Sequence, residues 1–304
     1  MRTWLSFWFL ALLWGSSFLL MKLALVQLTP TQTSTYRLLI AGIFFVGFLA
    51  LTKRFLQLRR ATLLSLLFVG LFNTAIPFTL IAWGTQRIDS GLATILTGTV
   101  PFFSLVLAHF ILKHEDLNGP KMLGLLLGFA GVFLLGLRGM TGKENLFIGQ
   151  LAVLASAFCY AMSLIVLKKY LHDMEPISIA GYTLIIGAVT MFLYASLTGE
   201  LLPASTDWKW SVLISILLLG FTHTTLAYFF FYHLVEQWGP RASLVTYAMP
   251  PIGVALGVLV LDEPLDWRLL VGGLLVLWGI VLSKTGRFRF WKTVKRQSAQ
   301  SKHS

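Results

Sequence analysis

The chain has 304 residues, of which 57% are hydrophobic and only 12% are charged, and its mean hydropathy is +0.79. Soluble domains usually contain about 25% charged residues, so the composition excludes an ordinary soluble domain and indicates an integral membrane protein. The net charge of +12 does not indicate a nucleic-acid partner, because the basic residues lie between apolar runs and in the tail after Lys284, as they do in loops on the positive side of a bilayer.

Ten apolar runs are each long enough to cross the hydrocarbon core of a bilayer, which takes about 20 residues. In chain order they are 4–23, 34–53, 61–83, 91–112, 120–138, 146–168, 177–198, 209–233, 241–261 and 267–285. These runs lack the alternation of barrel strands, so we predict an all-α integral membrane protein of ten transmembrane helices. The first run is predicted to be retained, because it is a full span long and lacks a clear signal-peptide cleavage site.

Lys and Arg are distributed unevenly over the connecting loops. If the N-terminus is cytoplasmic, most of the 24 Lys and Arg residues fall on the cytoplasmic side, including Arg59, Arg60 and those of the C-terminal tail. Loops on the cytoplasmic side carry an excess of these residues. We therefore predict a multi-pass protein of a bacterial-type inner membrane with both termini in the cytoplasm.

The sequence is internally repeated. Residues 157–188 align with residues 11–42 without a gap, and a fixed-period repeat of this length constrains the whole architecture. Each copy contains five predicted helices, and an odd number inverts the second copy in the membrane. We predict one unit at 5–138, a second at 146–285 and a basic cytoplasmic tail at 286–304.

The alignment of the two copies continues into the later helices with small shifts in offset. Equivalent pairs there share a residue type, and they are Phe72 with Phe221, Pro101 with Pro250, Gly124 with Gly272, and Gly131 with Gly279. Glycines spaced four apart, as in Gly124–Gly128 and Gly253–Gly257, allow helices to approach closely and are compatible with a monomer or a dimer.

Several short stretches recur in a characteristic order, and they are Leu13–Ser17, Tyr36–Gly42, Met249–Gly257, Asp262–Pro264 and Gly272–Gly279. In order, spacing and duplication the chain resembles the EamA family of the drug/metabolite transporter superfamily. The resemblance implies ten helices in two inverted five-helix units, a central polar cavity, and the movement of small metabolites, commonly amino acids or related compounds, usually outward. Fold alone does not name the substrate.

Charged side chains cost roughly 2.5–3.5 kcal/mol each at the middle of a membrane helix on insertion scales, and none lies in the middle third of a predicted helix. Arg37 is the exception to consider, since it lies about one turn into the second helix and its repeat equivalent is Thr183. One interpretation is that its planar guanidinium binds a substrate carboxylate near the outer mouth. The alternative is a structural charge that bonds helix-end carbonyls.

Polar and amphipathic residues within the runs are candidates for the lining of a substrate cavity, because rings offer stacking area and hydroxyls and amides offer orientation. They are Trp14, Ser16, Ser17, Asn73, Thr74, Thr79, Trp83, Tyr160, Ser163, Thr222, Thr224, Tyr228 and Tyr247. The alternative for the Ser and Thr residues is hydrogen bonding between helices, worth about 0.6 kcal/mol each.

Proton coupling has few candidates. His109, His223 and His233 lie within predicted helices, and histidine titrates near neutral pH, although a neutral histidine used for packing explains them equally. The multidrug branch of the resembled superfamily relies on a glutamate in its first helix, where this chain has the stretch Trp14–Ser17. That difference weighs against drug/proton exchange, and facilitated diffusion is the remaining alternative.

Prolines interrupt three of the predicted helices, and they are Pro77, Pro101, Pro250 and Pro251. Proline removes a backbone hydrogen bond, and paired interruptions in two halves indicate a transport site. Pro101 and Pro250 form such a pair, so these positions are predicted hinges, with simple packing kinks as the alternative.

The residues contain no catalytic constellation, phosphate-binding glycine loop or metal-spaced cluster. We therefore predict a secondary transporter of small molecules, without cofactor, that exports metabolites such as amino acids by alternating access. The alternatives are a multidrug/proton exchanger and a membrane-embedded enzyme.

Overall fold

The computed structural model describes residues 2–55, 59–112, 117–139, 144–203 and 207–285, and within these ranges helices are joined by short turns. The predicted tail at 286–304 lies outside the described residues.

Nine helical segments of the described ranges are long and apolar enough to cross a membrane, and a tenth, shorter apolar helix follows them. Numbered span 1 to span 10 in chain order, they are Thr3–Ala24, Pro30–Leu51, Arg60–Thr85, Ser90–Leu112, Gly119–Leu137, Leu146–Tyr170, Pro176–Leu197, Trp210–Trp238, Ala242–Leu261 and Trp267–Ser283. The predicted all-α membrane fold is confirmed.

Six spans belong to uninterrupted α-helices, whose full bounds are Arg2–Ala24, Pro30–Leu51, Gly119–Gly139, Glu144–Tyr170, Pro176–Leu197 and Trp267–Thr285. The other four are composite. Span 3 consists of Arg60–Gly70, the π-helix Leu71–Ala75 and Ile76–Thr85, and span 8 of Trp210–Gly220, the π-helix Phe221–Leu226 and Ala227–Trp238. Span 4 consists of Ser90–Thr97, Val100–Leu107 and the π-helix Ala108–Leu112, and span 9 of the 3₁₀-helix Gly239–Leu244 and Val245–Leu261.

Span 2 begins four residues earlier than its apolar run. Thr29 Oγ1 accepts from the backbone N–H of Gln32 at 3.1 Å, and Gln32 Oε1 accepts from the N–H of Thr29 at 2.9 Å. This reciprocal capping box satisfies two N–H groups that the first turn leaves free. Pro30 at the first helical position has a φ suited to a helix start, so the polar residues after it are helical too.

The prolines occupy two different settings. Pro101 lies at the start of the α-helix Val100–Leu107, where a missing N–H removes little. Pro77 follows the π-helix Leu71–Ala75 without a break, so it lies inside the continuous helix of span 3. Span 4 is interrupted at Gly98–Thr99, just before Pro101. Pro250 and Pro251 instead lie inside the continuous helix Val245–Leu261, so the two predicted hinge positions are not structurally alike.

Equivalent spans of the two halves pack against each other, since span 2 contacts span 7, span 4 contacts span 9, and span 5 contacts span 10. Spans 5 and 10 are close enough that a Cβ added at Gly131 would lie 2.6 Å from the carbonyl oxygen of Gly272. A Cβ added at Gly279 would lie 2.6 Å from the carbonyl oxygen of Gly124. The repeat maps one of these contacts onto the other, since it aligns Gly131 with Gly279 and Gly124 with Gly272.

Candidate functional site

Spans 3 and 8 both depart from α-helical geometry near their middles. Their π-helices, Leu71–Ala75 and Phe221–Leu226, occupy equivalent positions, because the repeat places Phe72 on Phe221. π-Helical turns are rare and are frequently found at functional sites. Each of them follows a glycine and contains consecutive polar residues, Asn73–Thr74 in span 3 and Thr222–Thr225 in span 8, so the two interruptions place polar side chains at similar depths.

The π-helix of span 8 directs three consecutive polar side chains back along the helix. Thr224 Oγ1 donates to the carbonyl of Leu219 at 2.8 Å, and Thr225 Oγ1 donates to that of Gly220 at 3.0 Å. His223 Nδ1 lies 3.0 Å from the carbonyl oxygen of Leu218. Buried carbonyls need partners, and here the side chains five residues later provide them.

His223 also links span 8 to span 1. Its Nε2 lies 3.0 Å from Ser16 Oγ, and the ring is buried. A carbonyl oxygen only accepts hydrogen bonds, so the contact with Leu218 requires a proton on Nδ1. Ser16 Oγ also lies 2.6 Å from the carbonyl oxygen of Leu12, which competes with His223 Nε2 for the one proton of this hydroxyl. Both ring nitrogens therefore have partners within the protein.

Arg37 lies deep in the bundle and connects the two halves. Its side chain is 7% exposed. Nε donates to Thr224 Oγ1 at 2.7 Å, and the guanidinium carbon lies 4.2 Å from the centre of the Phe78 ring. Every other Asp, Glu, Lys or Arg of the ten spans lies within one turn of a span end.

Arg37 lies further from the start of its helix than the apolar run predicts. Since span 2 begins at Pro30, Arg37 is two turns into the helix, about 10 Å from its start at 1.5 Å per residue. The alternative interpretation is that Arg37 forms hydrogen bonds with helix-end carbonyls. Its Nε instead donates to the Thr224 hydroxyl.

A second polar link joins spans 3, 6 and 8. Ser163 Oγ lies 3.0 Å from Asn73 Oδ1, and Asn73 Nδ2 donates to the hydroxyl of Tyr228 at 3.4 Å. Ser163 Oγ also lies 2.8 Å from the backbone carbonyl oxygen of Tyr160, one turn earlier in span 6.

We call the resulting group the central polar cluster, and its members are Ser16, Arg37, Asn73, Tyr160, Ser163, His223, Thr224 and Tyr228. They come from five spans and both halves, and each lies about two turns or more from the nearest span end.

Other residues predicted to line a cavity pack between or along helices. Thr74 is fully buried, with Oγ1 2.5 Å from the carbonyl oxygen of Gly70 and 3.3 Å from that of Thr183, so it lies in the contact with span 7. Thr79 donates to the carbonyl of Ala75 at 2.9 Å. Ser17 is buried and donates to the carbonyl of Trp14 at 2.7 Å.

The remaining predicted lining residues lie around the cluster or near a span end. The Trp14 ring lies 5.3 Å from that of Phe231 and joins spans 1 and 8. Thr222 Oγ1 is 2.8 Å from His223 Nδ1, and Tyr247 is partly buried against the main apolar core. Trp83 is stacked under the Arg87 guanidinium at 3.5 Å, near the end of span 3.

The three histidines predicted as candidates for proton coupling occupy different surroundings. His223 belongs to the central polar cluster. His109 is half-buried on the π-helix that ends span 4, with its ring 5.2 Å from that of Phe110. His233 is exposed on span 8. His223 contacts polar groups of both halves.

At one face of the bundle, the segment between spans 1 and 2 is bonded to the segment between spans 7 and 8. Gln27 donates to the carbonyl of Asp207 at 3.0 Å and accepts from the N–H of Lys209 at 2.8 Å. The Tyr36 hydroxyl donates to the carbonyl of Leu201 at 2.6 Å. We call this face the tied face, and it is the one predicted to be extracellular.

Glu263 contributes a second connection between the halves at the tied face. Its Oε1 accepts from the N–H of Ser90 at 2.6 Å, and its Oε2 accepts from the Ser90 hydroxyl at 3.0 Å and the N–H of Gly91 at 3.1 Å. The carboxylate therefore caps the N-terminus of span 4 with favourable charge. At the opposite face, Arg54 and Glu175 form an ion pair between partly exposed side chains.

Two features of the site were not predicted from the sequence. Phe78 lies under the guanidinium of Arg37. Because it belongs to an apolar run, the sequence does not distinguish it from a phenylalanine that only packs against other helices. The π-helices have a faint signal, since Gly70 and Gly220 each precede a run that ends in polar residues, but glycine before polar residues is common in regular helices as well.

Comparison with known proteins places the chain among transporters. The profile of the EamA-like transporter family matches residues 2–137 and 147–285. The chain is 25% identical to a "Probable amino-acid metabolite efflux pump" of Escherichia coli, over 93% of this chain and 94% of the relative. It is 26% identical to "Uncharacterized transporter YoaV" of Bacillus subtilis, over 90% and 93%. A crystal structure with 18% identity has the same fold, with a TM-score of 0.65 over 95% of this chain and 98% of its own.

Proposed function

Because the chain belongs to the EamA-like transporter family, we propose that it exports small metabolites, such as amino acids or related compounds, by alternating access of its two halves. One observation carries this proposal, namely that the central polar cluster joins side chains of both halves far from the span ends. Transporters built from inverted repeats bind substrate near the membrane midplane, at the interface of the repeats.

The surroundings of the cluster suit small amphipathic solutes. Tyr228 accepts from Asn73, its ring lies 6.1 Å from that of Tyr232, and Tyr160 packs against the same apolar core as these two tyrosines. Rings that carry a polar group offer stacking area and orientation together. The two relatives named as amino-acid metabolite efflux pumps, at 25% and 28% identity, support the same class of substrate.

The proposal is tested by flux through purified protein in liposomes, with a panel of labelled amino acids and related metabolites. We expect flux of at least one member, and we expect Asn73→Leu to lower it about tenfold, because the variant removes the polar partner of Tyr228 and the link from Ser163 to span 3. Ser196→Ala is the matched control, since the Ser196 hydroxyl is exposed and bonds only the carbonyl of Phe192 in its own helix.

Two results would contradict the proposal. One is the absence of flux across the whole panel while the protein is folded in the liposomes. The other is movement of lipophilic cations against a pH gradient without movement of metabolites, which would assign the protein to drug/proton exchange.

A further inference from the structure

The charge of Arg37 has no anionic partner among the described residues. Its hydrogen bond to Thr224 and its contact with Phe78 both involve neutral groups. The ten spans contain a single acidic residue, Glu236, which lies within the last turn of span 8 and is exposed. A buried cation that lacks a counter-ion is costly in a membrane protein and marks a site for a charged ligand.

The orientation of the guanidinium is fixed by groups other than a ligand. Thr224 Oγ1 accepts from Arg37 Nε at 2.7 Å while it donates its own proton to the carbonyl of Leu219 at 2.8 Å. Phe78 covers one region of the planar group. The hydrogen bond uses only Nε, so the two terminal nitrogens keep the paired donors that match a carboxylate.

An amino group would find no comparable partner in the cluster. No carboxylate belongs to it, and the carbonyls of Leu218, Leu219 and Gly220 beside the π-helix of span 8 already have side-chain partners. The cluster offers an amine only neutral groups, such as the Asn73 amide and the Tyr228 phenol, and these bind a cation more weakly than a carboxylate does.

We infer that the central polar cluster binds small organic acids through a carboxylate on Arg37, and that it does not require the amino group of an amino acid. This inference rests on the proposed transport function and names the substrate chemistry of that site. The ligand class is therefore monocarboxylates with or without an α-amino group, and it excludes amines and amides of the same carbon skeleton.

Binding is tested by ligand-induced thermal stabilisation of the full-length protein in detergent, because this measurement needs no transport. For each of alanine, leucine and phenylalanine, the probes are the amino acid, its deaminated acid, its amide and its decarboxylated amine. In at least one series we expect the two acids to stabilise the protein at concentrations within about threefold of each other. The amide and the amine should need at least about tenfold more, because they cannot pair with the guanidinium.

Variants separate the role of Arg37 from general effects on folding. Arg37→Gln should abolish stabilisation by the acids, and Arg37→Lys, which keeps the charge but loses the donor fork, should weaken it about tenfold. Arg87→Gln is the matched control, because Arg87 is stacked on Trp83 near a span end and bonds its backbone carbonyl. Acid binding that survives in Arg37→Lys with unchanged affinity would overturn the inference.

The possible failures are distinguishable. If none of the acids stabilises the wild-type protein, or the amino acid binds and its deaminated acid does not, the inference is wrong. Stabilisation by acids without any flux in liposomes would overturn the proposed function and leave the carboxylate site standing. Flux of amines that acids do not inhibit would leave transport standing and overturn the carboxylate site.

Discussion

The hydroxyl of Thr224 orients the only charged side chain in the interior of the ten spans. Its oxygen accepts from Arg37 Nε and its proton goes to the Leu219 carbonyl, so both of its hydrogen bonds are directional. Thr225, the next residue, donates to the Gly220 carbonyl but has no contact with Arg37. Both threonines donate to a backbone carbonyl, but it is Thr224 that accepts a hydrogen bond from the guanidinium.

This difference yields a prediction at the residue scale. Thr224→Val keeps the shape of the side chain and removes the acceptor for Arg37 Nε, so the apparent affinity for carboxylates should fall about tenfold, as expected for a lost hydrogen bond to a charged group. The measurement is the concentration dependence of thermal stabilisation by the acid that binds best. Thr225→Val should leave that affinity unchanged, and equal losses in both variants would show that the π-helix, rather than the acceptor, matters.

At the scale of elements, hydropathy predicted the membrane-spanning helices, which depend on continuous burial in lipid. It did not predict the early start of span 2 or the π-helices, which depend on backbone hydrogen bonds. The ten apolar runs were visible because each must be about 20 residues long. The early start of span 2 follows from the capping box of Thr29 and Gln32, a pattern readable from sequence that lies outside the apolar run. Hydropathy cannot distinguish a π-helix from an α-helix, since both bury the same residues.

The positions of individual site residues also depend on backbone geometry that hydropathy does not predict. Asn73 and Thr74 are adjacent polar residues on one π-helix, yet Asn73 bonds Tyr228 in the cluster and Thr74 faces the backbone of span 7. From composition alone, both residues are expected to line a cavity. Their different directions depend on the local helical pitch, which composition does not contain. The depth of Arg37 likewise followed from where its helix begins.

The cap that Glu263 provides to span 4 leads to a prediction for this element. Glu263→Gln retains the side-chain length but loses the charge that three donors at Ser90 and Gly91 share. We expect a destabilisation of about 1–2 kcal/mol, the usual range for a lost helix cap, measured by thermal unfolding in detergent. Glu236→Gln, at an exposed position near the end of span 8, should have no such effect, and unchanged stability in both variants would contradict the capping role.

At the scale of the whole molecule, the contacts that the first half makes with the second have counterparts in those that the second makes with the first. Span 1 contacts spans 8 and 9, and its repeat equivalent, span 6, contacts spans 3 and 4. The central polar cluster is not symmetric. The repeat aligns Arg37 with Thr183, and it aligns His223 with the region of Asn73 and Thr74. A transporter with symmetric helix packing and an asymmetric polar cluster can alternate between two similar conformations while it binds the substrate in one orientation.

Alternating access requires the halves to separate at the tied face during the transport cycle, so a covalent link there should stop transport. Cysteines at Gln27 and Lys209, which are joined by a 2.8 Å hydrogen bond across the halves, can be linked by a short, reducible thiol crosslinker in a Cys159→Ser background. We expect flux in liposomes to be lost on crosslinking and regained on reduction. Cysteines at Tyr194 and Thr198 are exposed and lie one turn apart at the end of span 7, so their link stays within one half and should leave flux unchanged. Full flux through the Gln27–Lys209 link would show that the tied face does not open, which would contradict alternating access at this face.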